Sequence, residues 1–291
     1  MAAFVLGLIG DSGSGKNTVA DAVAALLGPE RTTDLRLDDY HRFTREERTG
    51  RSLTALNPIV HNLPLMKEHL SLLRQGRQIR NRSYNHSDGS FGPIRTIEAR
   101  EIVIVRGLLG YPTDELRAMY DLAVFLAPEP DLLFRWKLRR DVHSRGYTET
   151  EVLKNITHHL LDATEFVLPQ AARADLVVSY QTPQWDAPDS EVRTTLLFRR
   201  GAAGAVEEVL DPDNFDGGLQ WERSGDDLQL RLPHDLSEEA VDTWANARFP
   251  DTYGGEGIGV FTGDDGKPAR SARLAFVEVL IASLTESMRG E

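Results

Sequence analysis

Apolar residues fall in two rhythms along this chain. Phe4–Ile9 is an unbroken apolar run closed by Gly10, the mark of a strand buried on both faces. From 16 to 27 the apolar positions Val19, Val23, Ala24, Leu26 and Leu27 recur at helical spacing, and Gly28-Pro29 ends the helix. The same two rhythms alternate further on. The pattern predicts helices over Leu63–Arg74, Asp114–Tyr120, Pro130–Ser144 and Thr148–Leu168, and strands over Leu35–Leu37, Glu101–Val105, Leu122–Leu126 and Leu176–Tyr180. Strands that alternate with helices imply an α/β fold, with a mostly parallel sheet flanked by helices.

The rhythm changes near residue 181, where a polar, proline-containing stretch (QTPQWDAPDS) intervenes. Beyond it the pattern predicts strands at Thr194–Phe198 and Leu228–Leu232, then helices at Ser237–Arg248 and about Ala272–Met288. We therefore expect a core over 1–182 and a C-terminal extension over 183–291 that adds strands and a closing helix to the same body.

Composition narrows the chemistry. The 291 residues contain no cysteine, which excludes disulfides, thiolate zinc sites and a thiol nucleophile. The formal net charge is -12, so nucleic acid is not an expected partner. No stretch approaches the roughly 20 apolar residues that span a bilayer, and the expectation is a cytoplasmic protein without a membrane partner. Arginines nonetheless cluster between Arg36 and Arg106 and between Arg135 and Arg145, and local basic groups on an acidic chain suit small anionic ligands.

The segment Gly10-Asp11-Ser12-Gly13-Ser14-Gly15-Lys16-Asn17-Thr18 fits GxxxxGK between the first predicted strand and helix. Such a loop turns its backbone N–H groups onto phosphate oxygens, with the lysine reaching the β- and γ-phosphates. Asn17 stands where a metal-binding Ser or Thr is usual. Leu37-Asp38-Asp39-Tyr40-His41 follows the second predicted strand, which places two carboxylates at the same sheet edge as the loop. One of them could receive the proton of an attacking hydroxyl. An Asp-rich turn or helix cap is the competing reading of this pair. Two further readings are structural. His158, His159 and His143 are not expected to form a metal site, because adjacent histidines point to different helix faces. Trp136 reads as packing.

The blocks LDDYHRFTREER, LTALNP, HNLPLM, YNHSDGSFGP, VRGLLGY, RWKLRRDVHSRG, LPQAARADLVVSY and GIGVFTG, in this order and spacing, resemble the phosphoribulokinases across nearly the whole chain. Uridine kinases share only the first half of the pattern. The resemblance implies a P-loop kinase using ATP, with Mg²⁺ usual for the family, and a sugar-phosphate acceptor with ribulose 5-phosphate as the leading candidate. It implies Asp38 as catalytic base beside Lys16, and His41, Arg45, Arg48, Tyr84 and His86 as substrate-binding residues. Arg140 and Arg145 would lie in a lid-like helical region over the nucleotide. A homodimer is usual for the family.

The pattern breaks at four places. Arg106 replaces the acid expected before Gly107-Leu108, Ile59 replaces an arginine, His159-Leu160 stand in an Arg-Lys-Pro-Asp block, and Asn17 lacks the hydroxyl. Two of the breaks weaken a cation site. Hence a second expectation: a degenerate relative that binds nucleotide or phosphosugar with little turnover, in a regulatory or partner-binding role. Arg106 is expected to face the P-loop lysine and to contact phosphate itself.

Overall fold

The computed structural model describes residues 2–210, 215, 217–263 and 265–290. In chain order these form β1 (Phe4–Gly10), α1 (Lys16–Leu27), β2 (Thr32–Arg36), α2 (Arg45–Gly50), α3 (Leu63–Arg74), β3 (Ile79–Tyr84), β4 (Phe91–Ile97), β5 (Ile102–Gly107), α4 (Asp114–Arg117), β6 (Leu122–Pro128), α5 (Pro130–Arg145) and α6 (Glu149–Asp162). There follow β7 (Leu176–Gln181), β8 (Arg193–Phe198), α7 (Gly201–Val209), β9 (Gln220–Ser224), β10 (Asp227–Arg231), α8 (Glu238–Arg248), β11 (Val260–Thr262), β12 (Pro268–Arg270) and α9 (Ala272–Gly290).

One sheet organises the chain, in the order β2-β5-β1-β6-β7-β8-β10-β9. The first five strands are parallel and the last three antiparallel. Every residue of β1 and β5 is buried, which is why these strands read as unbroken apolar runs. The sheet continues across residue 182, because β8 pairs along the full length of β7.

Strand alternation sends Leu6, Leu8 and Ile104 to one face and Val5, Ile9 and Val103 to the other. The first face packs on α1, α7, α8 and α9. The second packs on α3, α4 and the turn after β2. Residues 273–285 of α9 are all buried except Leu274, so the closing helix is a core element. Truncating Phe276, which is fully buried there against Trp244 and Phe215, should cost ~3–5 kcal/mol.

Sequence periodicity missed α2, α7, β9 and the hairpins β3–β4 and β11–β12. The first hairpin stands outside the main sheet and is rich in arginine, so no apolar alternation marks it. The helix expected over Thr148–Leu168 ends as α6 at Asp162 and continues as a π turn over Ala163–Val167.

Candidate active site

The loop between β1 and α1 lies at the point where the sheet order reverses, with β5 on one side of β1 and β6 on the other. Such switch points are where open α/β sheets bind ligands. Gly13 and Gly15 have φ of 94° and 87°, a conformation costly for any side chain. Gly10 is required for space, since a Cβ there would lie 2.6 Å from Ser14 Oγ. Ser14 Oγ is buried without a partner. Lys16 Nζ donates to the Asp11 carbonyl at 3.0 Å. Burial lowers the Lys16 pKa to about 8, with Asp38 and Asp11 opposing the shift and Arg140 and Lys137 adding to it.

Arg140 of α5 covers this loop, donating to Ser12 Oγ at 3.1 Å and to Asp141 at 2.8 Å. The side chain of Arg145 lies outside the described residues. Asn17 and Thr18 open α1, and Asn17 is exposed. A cavity of about 250 Å³ begins at residues 13–19 and runs beneath α5 to the C-terminal part of the chain. Tyr180, Phe261, Thr262 and Arg273 wall its far side, and Trp136 lines it too. Trp136 also packs as expected, its ring edge-on to Tyr180 and its Nε1 bonded to Asp189.

The acceptor side starts at the turn Leu37–Tyr40, directly after β2. The structure separates the two adjacent acids. Asp39 accepts from Tyr84 N at 2.7 Å and pairs with Arg95 at 2.9 Å, so it ties the β3–β4 hairpin to the turn. Asp38 accepts from His86 Nε2 at 3.1 Å and lies close enough to Lys16 for each charge to act on the other. Burial pushes the Asp38 carboxyl up, but the hydrogen bond from His86, the neighbouring imidazoles and the Lys16 charge outweigh it. The acid is held well below its usual range and is ionised at neutral pH.

His41 is buried between His61 and Tyr84, with ring centroids 4.8 and 4.6 Å away. Burial first, then His61 and Arg48, lower its pKa to about 3, so it is neutral. Arg48 donates to the Tyr84 hydroxyl at 2.8 Å. Both His41 nitrogens and Arg48 Nε are buried and unpartnered. The capping box of Thr44 and Glu47 fixes α2 and thereby Arg48. Arg45 is placed differently from its neighbours. It donates to the carbonyls of His86 and Ser87, and so braces the loop that carries His86 to Asp38.

This arrangement has close relatives. The profile of the Phosphoribulokinase / Uridine kinase family matches residues 5–185. The chain belongs to that family. It is 34% identical over 233 residues to the phosphoribulokinase of Synechocystis, covering 79% of this chain and 69% of that protein. It is 27% identical to the chloroplastic phosphoribulokinase of Triticum aestivum, covering 99% and 73% respectively. The fold matches that of the phosphoribulokinase from Rhodobacter spheroides with a TM-score of 0.62 at 17% identity, over 83% of this chain and 94% of that one.

Arg106, expected to contact phosphate, has its guanidinium engaged within the fold instead. Its guanidinium pairs bidentately with Asp34 of β2, at 2.8 and 2.9 Å, and with Asp21 of α1 at 2.8 Å. The family implies a divalent cation, and the groups at this strand end fit one poorly. Both Asp34 oxygens are engaged, by Arg106 and Arg36, and Asp21 is bonded to the same guanidinium. Among the described residues no group of three His, Asp or Glu could hold a metal. No helix among them is long and apolar enough to cross a membrane.

One residue near the chemistry escaped the sequence reading of the site, and a second was read there only as a break in the family pattern. Lys137 is buried behind Gly13, its Cβ 3.2 Å from where a Cβ on that glycine would lie, and its charge is felt at Lys16. His159 approaches from α6. A cationic position one turn before Arg140 was the only signal for Lys137, and it looked like its many basic neighbours.

Proposed function

We propose that this chain is an ATP-dependent kinase that phosphorylates a hydroxyl of a sugar phosphate, with ribulose 5-phosphate converted to ribulose 1,5-bisphosphate. The observation that carries this is an ionised Asp38 within electrostatic reach of Lys16, beside buried and unpartnered nitrogens of His41 and Arg48. Asp38 accepts the hydroxyl proton as the oxygen attacks the γ-phosphorus. The new O–P bond forms as the bond to the β-phosphate oxygen breaks, and ADP leaves. Lys16, Arg140 and the loop amides hold the phosphates, while the cavity beneath α5 takes the nucleoside. Arg48 and His41 offer donors to the acceptor's own phosphate, a charge that a nucleoside lacks. His86, braced by Arg45, orients Asp38.

The test is ADP release from ATP with a panel of pentose phosphates and nucleosides. We expect turnover with ribulose 5-phosphate. Turnover with a nucleoside and none with any pentose phosphate would overturn the acceptor assignment. One observation favours a second reading, binding without turnover: a guanidinium occupies the strand end where an acid was expected. In that case calorimetry detects ATP and sugar phosphate while the release assay stays at background.

A further inference from the structure

The acceptor side holds one more unpartnered donor than the proposed function uses. Besides both nitrogens of His41 and Nε of Arg48, Nδ1 of His159 is buried without a hydrogen bond. These three side chains come from three separate elements: the turn after β2, α2 and α6. Buried polar atoms are nearly always satisfied in a folded protein. These nitrogens, one N–H on each neutral imidazole and a second once a ring is protonated, together with the guanidinium N–H, fit an anion that is not part of the chain.

The position of His159 is fixed at both ends of α6. A capping box of Thr148 and Glu151 starts the helix. At its last turn Asp162 accepts from Thr54 Oγ1 at 2.6 Å, which ties α6 to the segment just after α2. His159 is within electrostatic reach of two basic groups. Lys137 backs the phosphate loop and Arg48 belongs to the acceptor pocket, and the charges of both act on the imidazole.

We propose that His159 binds a phosphoryl oxygen of the reacting ligands and takes up a proton when it does so. This rests on the proposed function for the identity of the ligands, but not for the presence of an anion. In the free protein burial lowers the His159 pKa to about 4, with Lys137, His158 and Arg48 adding to the shift and Asp162 opposing it. The ring is then neutral at pH 7. A phosphate dianion against it favours the charged form, and by linkage the charged form favours the phosphate. Affinity therefore rises as pH falls from 8 to 6. An arginine at this place would hold phosphate without that dependence. His41 is another imidazole of this site, and it lies beside Asp38, Arg48 and His61, with His86 bonded to Asp38.

The experiment is calorimetry at pH 6.5 in two buffers of different ionisation heat, on wild type, His159→Gln, His159→Arg and the control His158→Gln. The probes are inorganic phosphate, ribulose 5-phosphate and an unreactive ATP analogue, each alone. We expect proton uptake in wild type and in the His158 control, none attributable to the protein in either His159 variant, and at least fivefold tighter binding at pH 8 for His159→Arg than for His159→Gln. Uptake with the sugar phosphate assigns the acceptor's phosphate, and uptake with the analogue assigns the transferring one. Equal uptake in wild type and both His159 variants overturns the proposal and points to another imidazole of the site. So does unchanged affinity for all three probes. If ribulose 5-phosphate fails to bind while inorganic phosphate binds with His159-dependent uptake, the acceptor assignment falls and the role of His159 stands.

Discussion

Two neighbouring strands of the sheet end in charged groups of opposite fate. After β2, Asp38 holds one histidine, and the nitrogens around it keep unpartnered donors. One strand over, at the end of β5, Arg106 has all three of its guanidinium nitrogens engaged by Asp34 and Asp21. Both ends face loops where ligands of such sheets bind, yet only the first can act on a ligand without breaking a bond of its own. A charge at a sheet edge marks a reactive position only when its hydrogen-bonding capacity is still open. Paired charges at such an edge serve the fold, here by fastening β2, β5 and α1 together.

Removing the proton acceptor tests the first half of this contrast. Asp38→Asn should lower turnover by ~10²–10⁴ and leave nucleotide affinity within about threefold, because the amide keeps the shape and loses the charge. Steady-state kinetics with calorimetry in parallel measures both. A loss below about tenfold would mean that the proton goes elsewhere. Asp39→Asn should act the other way round, on stability first, since that carboxylate holds Tyr84 N and Arg95.

The second half predicts that Arg106→Glu repairs nothing. It would place a third carboxylate beside Asp21 and Asp34, with Arg36 still paired to Asp34 but no cation between the three. Breaking a buried ion pair costs about 3–5 kcal/mol. Both aspartates are substantially exposed, at 70% and 43%, so solvent screening reduces the expected loss to ~1–3 kcal/mol in urea unfolding. An unchanged midpoint would break the comparison. The milder Arg106→Gln gives its pH signature. Burial pushes the Asp34 carboxyl up, but Arg106 and then Arg36 outweigh it and hold it below its ordinary 3.8. A depressed carboxylate contributes its stability above the unfolded value and loses it as pH falls through the folded one. The stability gap between wild type and Arg106→Gln should therefore be full above about pH 4 and close below it.

The contrast also shows what a sequence can reveal. Buried strands, helix limits such as Leu63–Arg74, the glycine loop after β1 and the acidic turn after β2 were legible, because each is written in local spacing or in a contiguous block. The direction taken by Arg106 was not, since its partners lie 72 and 85 residues away and no local pattern names them. The same holds for the split between Asp38 and Asp39, decided by a hairpin whose polar strands carry no periodic signal. It holds too for Phe261 of β11 and Arg273 of α9, which line the cavity beneath α5 although they lie far beyond it in the chain.

The smallest effect separates open from closed charges within the phosphate loop. Lys16 is held to about 8 mainly by burial, and only its charged form attracts phosphate. A phosphate bound against it raises its pKa, so the complex keeps the proton that the free protein loses above pH 8. The dissociation constant of ADP should then be flat near pH 7 and rise about fourfold by pH 8.5. Fluorescence titration of ADP across that range measures the slope. Arg106→Gln should leave the slope unchanged, because that guanidinium is matched by Asp34 and Asp21 and the largest charge effects on Lys16 come from Asp38, Asp11, Arg140 and Lys137. A slope that flattens in this variant would place Arg106 in electrical contact with the bound phosphates, and the distinction between the two strand ends would fail.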